Sequence, residues 1–171
     1  MALTGGIPVL TLQLLMQLNR ASYRSIVEVR TAMEPMTSQL AAARITDESL
    51  DELRLTVEQM RDYMDDRDLF LDSNKRFHDV IAWSSGNVLF SYIVDSLLDI
   101  LDGTIIGIDY PRHRRVAILK AHEEIYSALA RRDPQASLER MREHIEAYAT
   151  YAQRKFPEIL DQIISWDRQP G

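Results

Sequence analysis

Three histidines, His78, His122 and His144, occupy positions that helical periodicity directs inward on three different helices. Asn74 precedes His78 by four residues, so the two side chains leave the same face of one helix, one turn apart. Together these residues offer three imidazole nitrogens and one amide oxygen, a set that suits a divalent ion such as Zn²⁺ or Ni²⁺. A shared metal site is therefore one interpretation of the pattern.

Separate burial is the other interpretation, in which each histidine is a core residue hydrogen-bonded to its own neighbours. An unsatisfied buried polar group costs roughly 1–3 kcal/mol, so three scattered histidines and Asn74 would together carry a substantial cost. One divalent ion would satisfy all four groups at once. The residues alone leave the two interpretations equally open.

The stretch 117–151 predicts a helical hairpin that positions two of these histidines. In its first half, His122 lies between Ile118 and Ile125 on one apolar face, and in its second half His144 lies on the corresponding apolar stripe. Asp133 can cap the second helix and Pro134 can take its first position. We therefore expect a short turn and an antiparallel pair of helices.

Start and stop signals predict the remaining elements. Ser22 and Thr46 are suitable N-caps, and glycine within 84–87 is suited to end a helix. Besides the hairpin, helices are predicted over about 11–18, 22–44, 46–63, 65–83, 88–101 and 156–166, with a loop over 103–111. The inward positions of the second of these include Arg30, Met33 and Leu40.

Composition favours this helical interpretation. The chain has 171 residues, 46% of them hydrophobic, with only six glycines and six prolines. That length supports one domain with a sizeable core. We predict an all-α fold, an antiparallel bundle of about six or seven helices.

The charge of the chain excludes several classes of function. Twenty basic residues against 26 acidic residues give a net charge of -6, which does not suit binding to a phosphate backbone. The chain has no cysteine, so a disulfide framework and a thiolate metal site are both excluded. The apolar stretch 7–18 is too short to span a bilayer and contains two glutamines. We expect a cytoplasmic protein with no membrane segment.

An enzymatic role is not expected. A ferritin-like di-metal bundle needs Glu-x-x-His on two helices, whereas the residues three positions before the histidines are Lys75, Tyr110, Leu119 and Met141. A hydrolytic zinc site would also need an inward general base, which the pattern does not supply. His113 lies in a basic helix start and is left out of the site.

Several motifs occur in a familiar order along the chain. They are EVRTAMEP at 28–35, LAAARITDESLDELR at 40–54, FH at 77–78, SSGN at 84–87, AHEEIYSALARRD at 121–133 and MREHI at 141–145. This series resembles the FCD domain, the C-terminal effector-binding domain of FadR-type regulators in the GntR family. The resemblance covers about residues 20–152. It implies an all-helical bundle whose pocket often holds a divalent metal on an Asp-x-x-x-His pair and two later histidines.

Carried over, the metal positions of the family fall on Asn74, His78, His122 and His144. The aspartate of the family is Asn74 here, which removes the only anionic metal ligand. An anionic effector should therefore contribute more to metal binding. Arg30 matches the arginine of the EVR motif. It forms either an internal ion pair with Glu34, one turn on, or a clamp for a carboxylate effector.

The resemblance also predicts the organisation of the chain. We expect a linker and short N-terminal helix over 1–19 and an effector-binding domain over 20–171. The winged helix of the family has no counterpart before residue 20, so DNA binding is expected only through a domain absent from this chain. Regulators of this kind commonly sense small organic acids. We therefore predict a sensor for a small carboxylate, with a purely structural dimerisation module as the alternative.

The helix over 88–101 is apolar nearly all round. Such a helix has more apolar surface than one buried face requires, as does the N-terminal helix. We therefore predict a homodimer that uses one of these two surfaces.

Overall fold

The structure is a computed structural model that describes residues 11, 12, 14, 16, 18–104 and 110–164. Among them, residues 11, 12, 14, 16 and 18 form a helical segment. It is followed by seven helices, α1 (Tyr23–Arg44), α2 (Asp47–Asp62), α3 (Arg67–Ser84), α4 (Val88–Thr104), α5 (Arg112–Ala130), α6 (Pro134–Lys155) and α7 (Pro157–Leu160). The predicted all-α antiparallel bundle is confirmed.

The predicted caps explain where several helices begin. The Thr46 side chain accepts a hydrogen bond from the Ser49 amide at 3.2 Å, and Asp133 accepts one from the Ala136 amide at 3.0 Å. Each bond satisfies one of the free amides of a first helical turn. Ser22 takes the N-cap position of α1, but its side chain makes no capping bond.

Two hydrophobic clusters hold the helices together. Buried side chains of α1, α2, α3, α5 and α6 make the larger one, which includes Leu53, Phe70, Phe77, Ile125 and Ile145. A second cluster joins α1, α4, α6 and α7 through residues such as Ile26, Ile100 and Leu160. Between them the clusters fix α3, α5 and α6, which carry the three histidines.

Two boundary predictions differ from the structure. The last helix ends at Leu160, and the chain then runs to an isolated bridge between Ser22 and Ile163, while position 166 lies outside the described residues. Helix α4 continues to Thr104, into the predicted loop, whose positions 105–109 also lie outside the described residues.

The inward face of α1 also differs from its prediction. Glu34 and Ser38 are buried, whereas Met33 and Leu40 are only half-buried. Helical periodicity favoured the apolar residues for that face, but tertiary contacts satisfy the carboxylate of Glu34 inside the bundle. Among the described residues, no helix combines the length and apolar character that crossing a membrane would require.

Candidate metal and effector site

The three inward histidines meet at one point in the bundle. His78 comes from α3, His122 from α5 and His144 from α6, and one ring nitrogen of each lies within 4.8 Å of the other two. The Nε2 atom of His144 is 3.1 Å from Nε2 of His122 and 3.3 Å from Nε2 of His78. The nitrogens that approach one another are therefore the same ring position on all three side chains.

This spacing fits a single ion of the size that imidazoles bind. Nitrogens that share a tetrahedral Zn²⁺ at about 2.0–2.1 Å lie roughly 3.3 Å from one another. The two Nε2 separations of 3.1 and 3.3 Å are close to that value. With no thiol in the chain, the donor set suits Zn²⁺ or Ni²⁺.

The outer nitrogens of two histidines have neighbours that can orient the rings. Nδ1 of His78 lies 2.6 Å from a carboxylate oxygen of Glu34, and Nδ1 of His122 lies 3.2 Å from the sulfur of Met60. Phe77 stacks on the His122 ring, with centroids 4.1 Å apart and an interplanar angle of 7°. An Nδ1–H aimed outward leaves the lone pair on Nε2 free to face the other rings.

Burial also sets the protonation of this cluster. Desolvation, with smaller contributions from the other two histidines, lowers the pKa of His122 well below its ordinary value. Desolvation likewise lowers the pKa of His144 to about 3, and His78 adds to the effect. Both rings are therefore neutral at pH 7, the form in which imidazole binds metals.

A pocket opens beside the histidines. It has a volume of about 170 Å³, and its walls include His78, His144, Asn74, Arg30, Lys75, Tyr110, Arg114 and Tyr148. Asn74 is half-buried and shares this pocket with His78, as the four-residue spacing predicted. An engineered apolar cavity of about 150 Å³ holds one benzene molecule, so this volume suits a ligand of similar size.

Arg30 lies on the pocket wall and is also ion-paired inside the bundle. Only 7% of Arg30 and 2% of Glu34 are exposed, and Nε of the arginine donates to a carboxylate oxygen of the glutamate. The guanidinium carbon lies 5.4 Å from the centre of the Tyr148 ring. Burial alone would raise the pKa of Glu34, but Arg30 and His78 lower it far below its ordinary value, so the residue is a carboxylate.

Several pocket residues were not predicted from the sequence. Arg114 is one of them, and its guanidinium carbon lies 4.2 Å from the centre of the Tyr151 ring. Burial raises the pKa of Tyr110 well above its ordinary value, so its hydroxyl is neutral. Glu34 was named as a partner of Arg30, but its contact with His78 joins α1 to α3 and follows from no local pattern.

Lys75 lies next to Asn74 in α3 and belongs to a charged cluster at the edge of the pocket. Its Nζ atom is 3.1 Å from Asp79, 2.9 Å from Asp99 and 3.6 Å from Asp95. This lysine is therefore neutralised by nearby carboxylates. Arg30 has Glu34 as an ion-pair partner through Nε and keeps further N–H groups, so Arg30 and Arg114 are the better candidates to bind an anion in the pocket.

The fold and the site define an all-helical domain with a small pocket beside a cluster of three histidines. Residues 25–147 match the family model of the FCD domain, so the chain belongs to the FCD domain family of GntR-type regulators. The predicted family is therefore confirmed. The relatives and the family are transcriptional regulators, which confirms the prediction that the chain is not an enzyme.

Two relatives show how much of a regulator the chain matches. The uncharacterised HTH-type transcriptional regulator YcbG of Bacillus subtilis is 31% identical over 122 residues, which cover 71% of this chain and 51% of that protein. The HTH-type transcriptional repressor NanR of Citrobacter rodentium is 30% identical over 123 residues, which cover 70% of this chain and 47% of that protein. The chain thus spans about half the length of these curated relatives.

Solved structures show the same fold. GntR of Streptococcus agalactiae matches with a TM-score of 0.67 and 27% identity, over 76% of this chain and 59% of that one. McbR of E. coli matches with a TM-score of 0.65 over 77% of this chain and 64% of that one, and at 17% identity it bears on the fold alone.

Proposed function

We propose that the chain is the ligand-sensing and dimerisation domain of a GntR-type transcriptional regulator and that it binds a small organic acid with the help of a divalent metal. The observation that carries the proposal is the convergence of three Nε2 atoms, with successive separations of 3.1 and 3.3 Å, beside a small pocket whose walls include Arg30 and Arg114. In the proposal, DNA is bound by a winged-helix domain outside this chain, and the regulator is cytoplasmic.

Each residue of the site has a distinct part in this proposal. His78, His122 and His144 would hold Zn²⁺ or Ni²⁺, and the amide oxygen of Asn74 would be the fourth protein ligand. The bound ion supplies uncompensated positive charge, because the three imidazoles and the amide are neutral. Arg30 would bind the carboxylate of the effector through N–H groups that Glu34 does not use.

The charges around the pocket favour an anionic effector. Arg30 and Glu34 cancel each other, and Lys75 is surrounded by aspartates. A dication held by neutral ligands would therefore be attracted to a small carboxylate more strongly than to a neutral molecule of the same size.

Native mass spectrometry of protein taken directly from cells tests the proposal, because it reports metal, bound acid and subunit number together. We expect one Zn²⁺ or Ni²⁺ per chain. Protein that carries no metal and takes up none on dialysis against Zn²⁺ would contradict the proposal. It would instead support a structural dimerisation module, whose histidines are packed core residues in contact with neighbours such as Glu34 and Met60.

Asn74→Asp should tighten the binding of Zn²⁺ and weaken the binding of the effector. The new carboxylate restores an anionic ligand, and it would compete with the effector carboxylate for the same positive charge. We expect this competition between the new carboxylate and the acid to weaken acid binding by about 1–3 kcal/mol, or roughly 5- to 150-fold in affinity. Calorimetric titration of Zn²⁺, with and without candidate acids, measures both effects.

A matched variant separates the charge of residue 74 from its shape. Asn74→Leu keeps the number and branching of the side-chain heavy atoms but has no oxygen, so it should bind Zn²⁺ more weakly than the wild type. Equal Zn²⁺ affinity in the wild type and both variants would show that Asn74 is not a ligand. The fourth position would then belong to water or to the effector.

The proposed homodimer uses exposed apolar surface on α4 or on the helical residues near the N-terminus. Leu89 is 69% exposed and Val88 is 53% exposed, with Trp83 and Ile93 nearby, and Leu18 is 72% exposed on the N-terminal side. We expect the wild type to sediment as a dimer at micromolar concentration. Leu89→Arg should weaken association by at least about tenfold if α4 forms the interface.

Leu55→Arg is the control for this prediction. Leu55 is also an exposed leucine, 49% accessible, but it lies on α2, away from both surfaces. Its replacement should leave association unchanged. A wild type that remains a strict monomer would contradict the prediction, and a dimer insensitive to Leu89→Arg would favour the N-terminal surface.

A further inference from the structure

Glu34 is a buried carboxylate that contacts both halves of the proposed site. One of its oxygens accepts from Nε of Arg30 on the same helix, and the other lies 2.6 Å from Nδ1 of His78 on α3. Only 3% of the Glu34 side chain is exposed, against 8% for Arg30 and 1% for His78. A single carboxylate thus joins the arginine proposed for the effector to a histidine proposed for the metal.

Glu34 lies behind the pocket. Arg30 and His78 are among the pocket-lining residues, whereas Glu34 is not. Its direct contacts with the site are therefore made through these two side chains, and its charge can also act on a bound ion through space.

We infer that Glu34 is a positioning residue that orients His78 for metal binding and Arg30 for effector binding, and so couples the two halves of the pocket. The inference rests on the proposed function, because it assigns Glu34 a part in that same site. It adds a residue that acts through the ligands without touching the metal or the acid.

The physical basis is the contact between carboxylate and imidazole. An Nδ1–H held by a carboxylate fixes the tautomer and the orientation of the ring and makes the other nitrogen a better donor to a metal. In this site the other nitrogen is Nε2 of His78, which faces His144 at 3.3 Å. Loss of such an outer partner typically lowers metal affinity by about 10- to 100-fold.

The second oxygen of Glu34 has a corresponding effect on Arg30. The ion pair holds the buried guanidinium at the pocket wall through Nε, while a guanidinium has five N–H donors in all. The donors not used by Glu34 are therefore presented in a fixed direction. An effector carboxylate bound to these N–H groups would share the positive charge of Arg30 with Glu34. Because Glu34 also contacts His78, this links effector binding to the metal ligand.

The competing explanation is that Glu34 only neutralises Arg30. A variant that removes both charges separates the two explanations. Glu34→Gln alone leaves Arg30 unpaired and adds a positive charge near the metal, whereas Arg30→Gln with Glu34→Gln restores the wild-type net charge but still lacks the carboxylate beside His78.

The experiment uses the full chain with Zn²⁺ alone as the probe, titrated against a competing chelator. We expect Glu34→Gln to lower Zn²⁺ affinity by about 10- to 100-fold, the double variant to remain similarly weak, and Arg30→Gln to bind as tightly as the wild type or more tightly. If the double variant returns to wild-type affinity, net charge accounts for the effect and the positioning role is overturned.

A spectroscopic readout tests the contact itself. In the wild type, the ¹H–¹⁵N spectrum of histidine-labelled protein should show a protected Nδ1–H signal from His78, absent from Glu34→Gln and from the double variant. A wild-type spectrum without that signal overturns the inference. The double variant also guards against misfolding, because exchange of a buried ion pair for neutral groups is often tolerated.

The two possible failures can be distinguished. If the wild type binds no Zn²⁺, the proposed metal site fails and the inference fails with it. If the wild type binds Zn²⁺ and Glu34→Gln binds it equally well, the metal site stands and only the role of Glu34 is overturned.

Discussion

His144→Ala should lower the Zn²⁺ affinity of the chain by more than about 100-fold, beyond the loss expected for an outer partner of a metal ligand. His144 is the middle member of the cluster, because its Nε2 atom lies close to those of both other histidines, 3.1 and 3.3 Å away. Its removal leaves two imidazoles, too few protein nitrogens for a closed zinc site. Competition titration with a chelator measures the loss directly.

Stability measurements add a second test of the same variant. A ligand that binds only the folded state stabilises it in proportion to the logarithm of its concentration over its Kd. Added Zn²⁺ should therefore raise the melting temperature of the wild type and leave that of His144→Ala unchanged.

His113→Ala is the matched control, since His113 is exposed at the start of α5 and lies outside the cluster. It should keep the Zn²⁺ affinity and the metal-dependent melting temperature of the wild type. If His144→Ala binds Zn²⁺ as tightly as His113→Ala, the ion binds elsewhere and the cluster is a set of packed core histidines.

The sequence predicted the positions of the three histidines because each depends on local rules. Helical periodicity directs His78 and His122 inward, and both are buried in the structure. The turn between α5 and α6 follows from Asp133 and Pro134, a capping residue and a favourable first helical residue. Local signals of this kind are strong because they act within one or two helical turns.

The contact between Glu34 and His78 could not be predicted in the same way. It joins residues 44 positions apart, and helical periodicity states only which face is buried, not which helix will lie against it. A carboxylate is also an improbable core residue unless it is paired. Glu34 is buried because Arg30 and His78 meet it from two helices, a condition visible only in three dimensions.

The predicted extent of the last helix failed for a related reason. Periodicity alone would allow a helix to continue past Leu160, but the backbone there pairs with the segment before α1. The amide of Ile164 donates to the carbonyl of Ala21 at 3.0 Å, and the amide of Tyr23 donates to the carbonyl of Gln162 at 3.3 Å. These long-range hydrogen bonds replace the helical ones, so tertiary structure ends the helix.

Phe77→Ala should cost about 3–5 kcal/mol of the free energy of unfolding, because it removes a fully buried aromatic side chain from a packed core. Such a loss is a large part of the roughly 5–15 kcal/mol that stabilises a typical domain. Phe77 also stacks on the ring of His122. The variant should therefore weaken Zn²⁺ binding as well, because His122 loses the surface that orients it.

Phe70→Ala distinguishes loss of core packing from loss of orientation. Phe70 is equally buried, lies on the same helix and belongs to the same cluster, and among the described residues it makes no ring contact of the kind that joins Phe77 to His122. Both variants should lose similar stability in urea unfolding followed by circular dichroism. Without urea both variants remain folded, and only Phe77→Ala should bind Zn²⁺ more weakly than the wild type. If the two variants bind Zn²⁺ equally well, the stacked ring contributes to the core alone, and the orientation of His122 must come from Met60 and the other histidines.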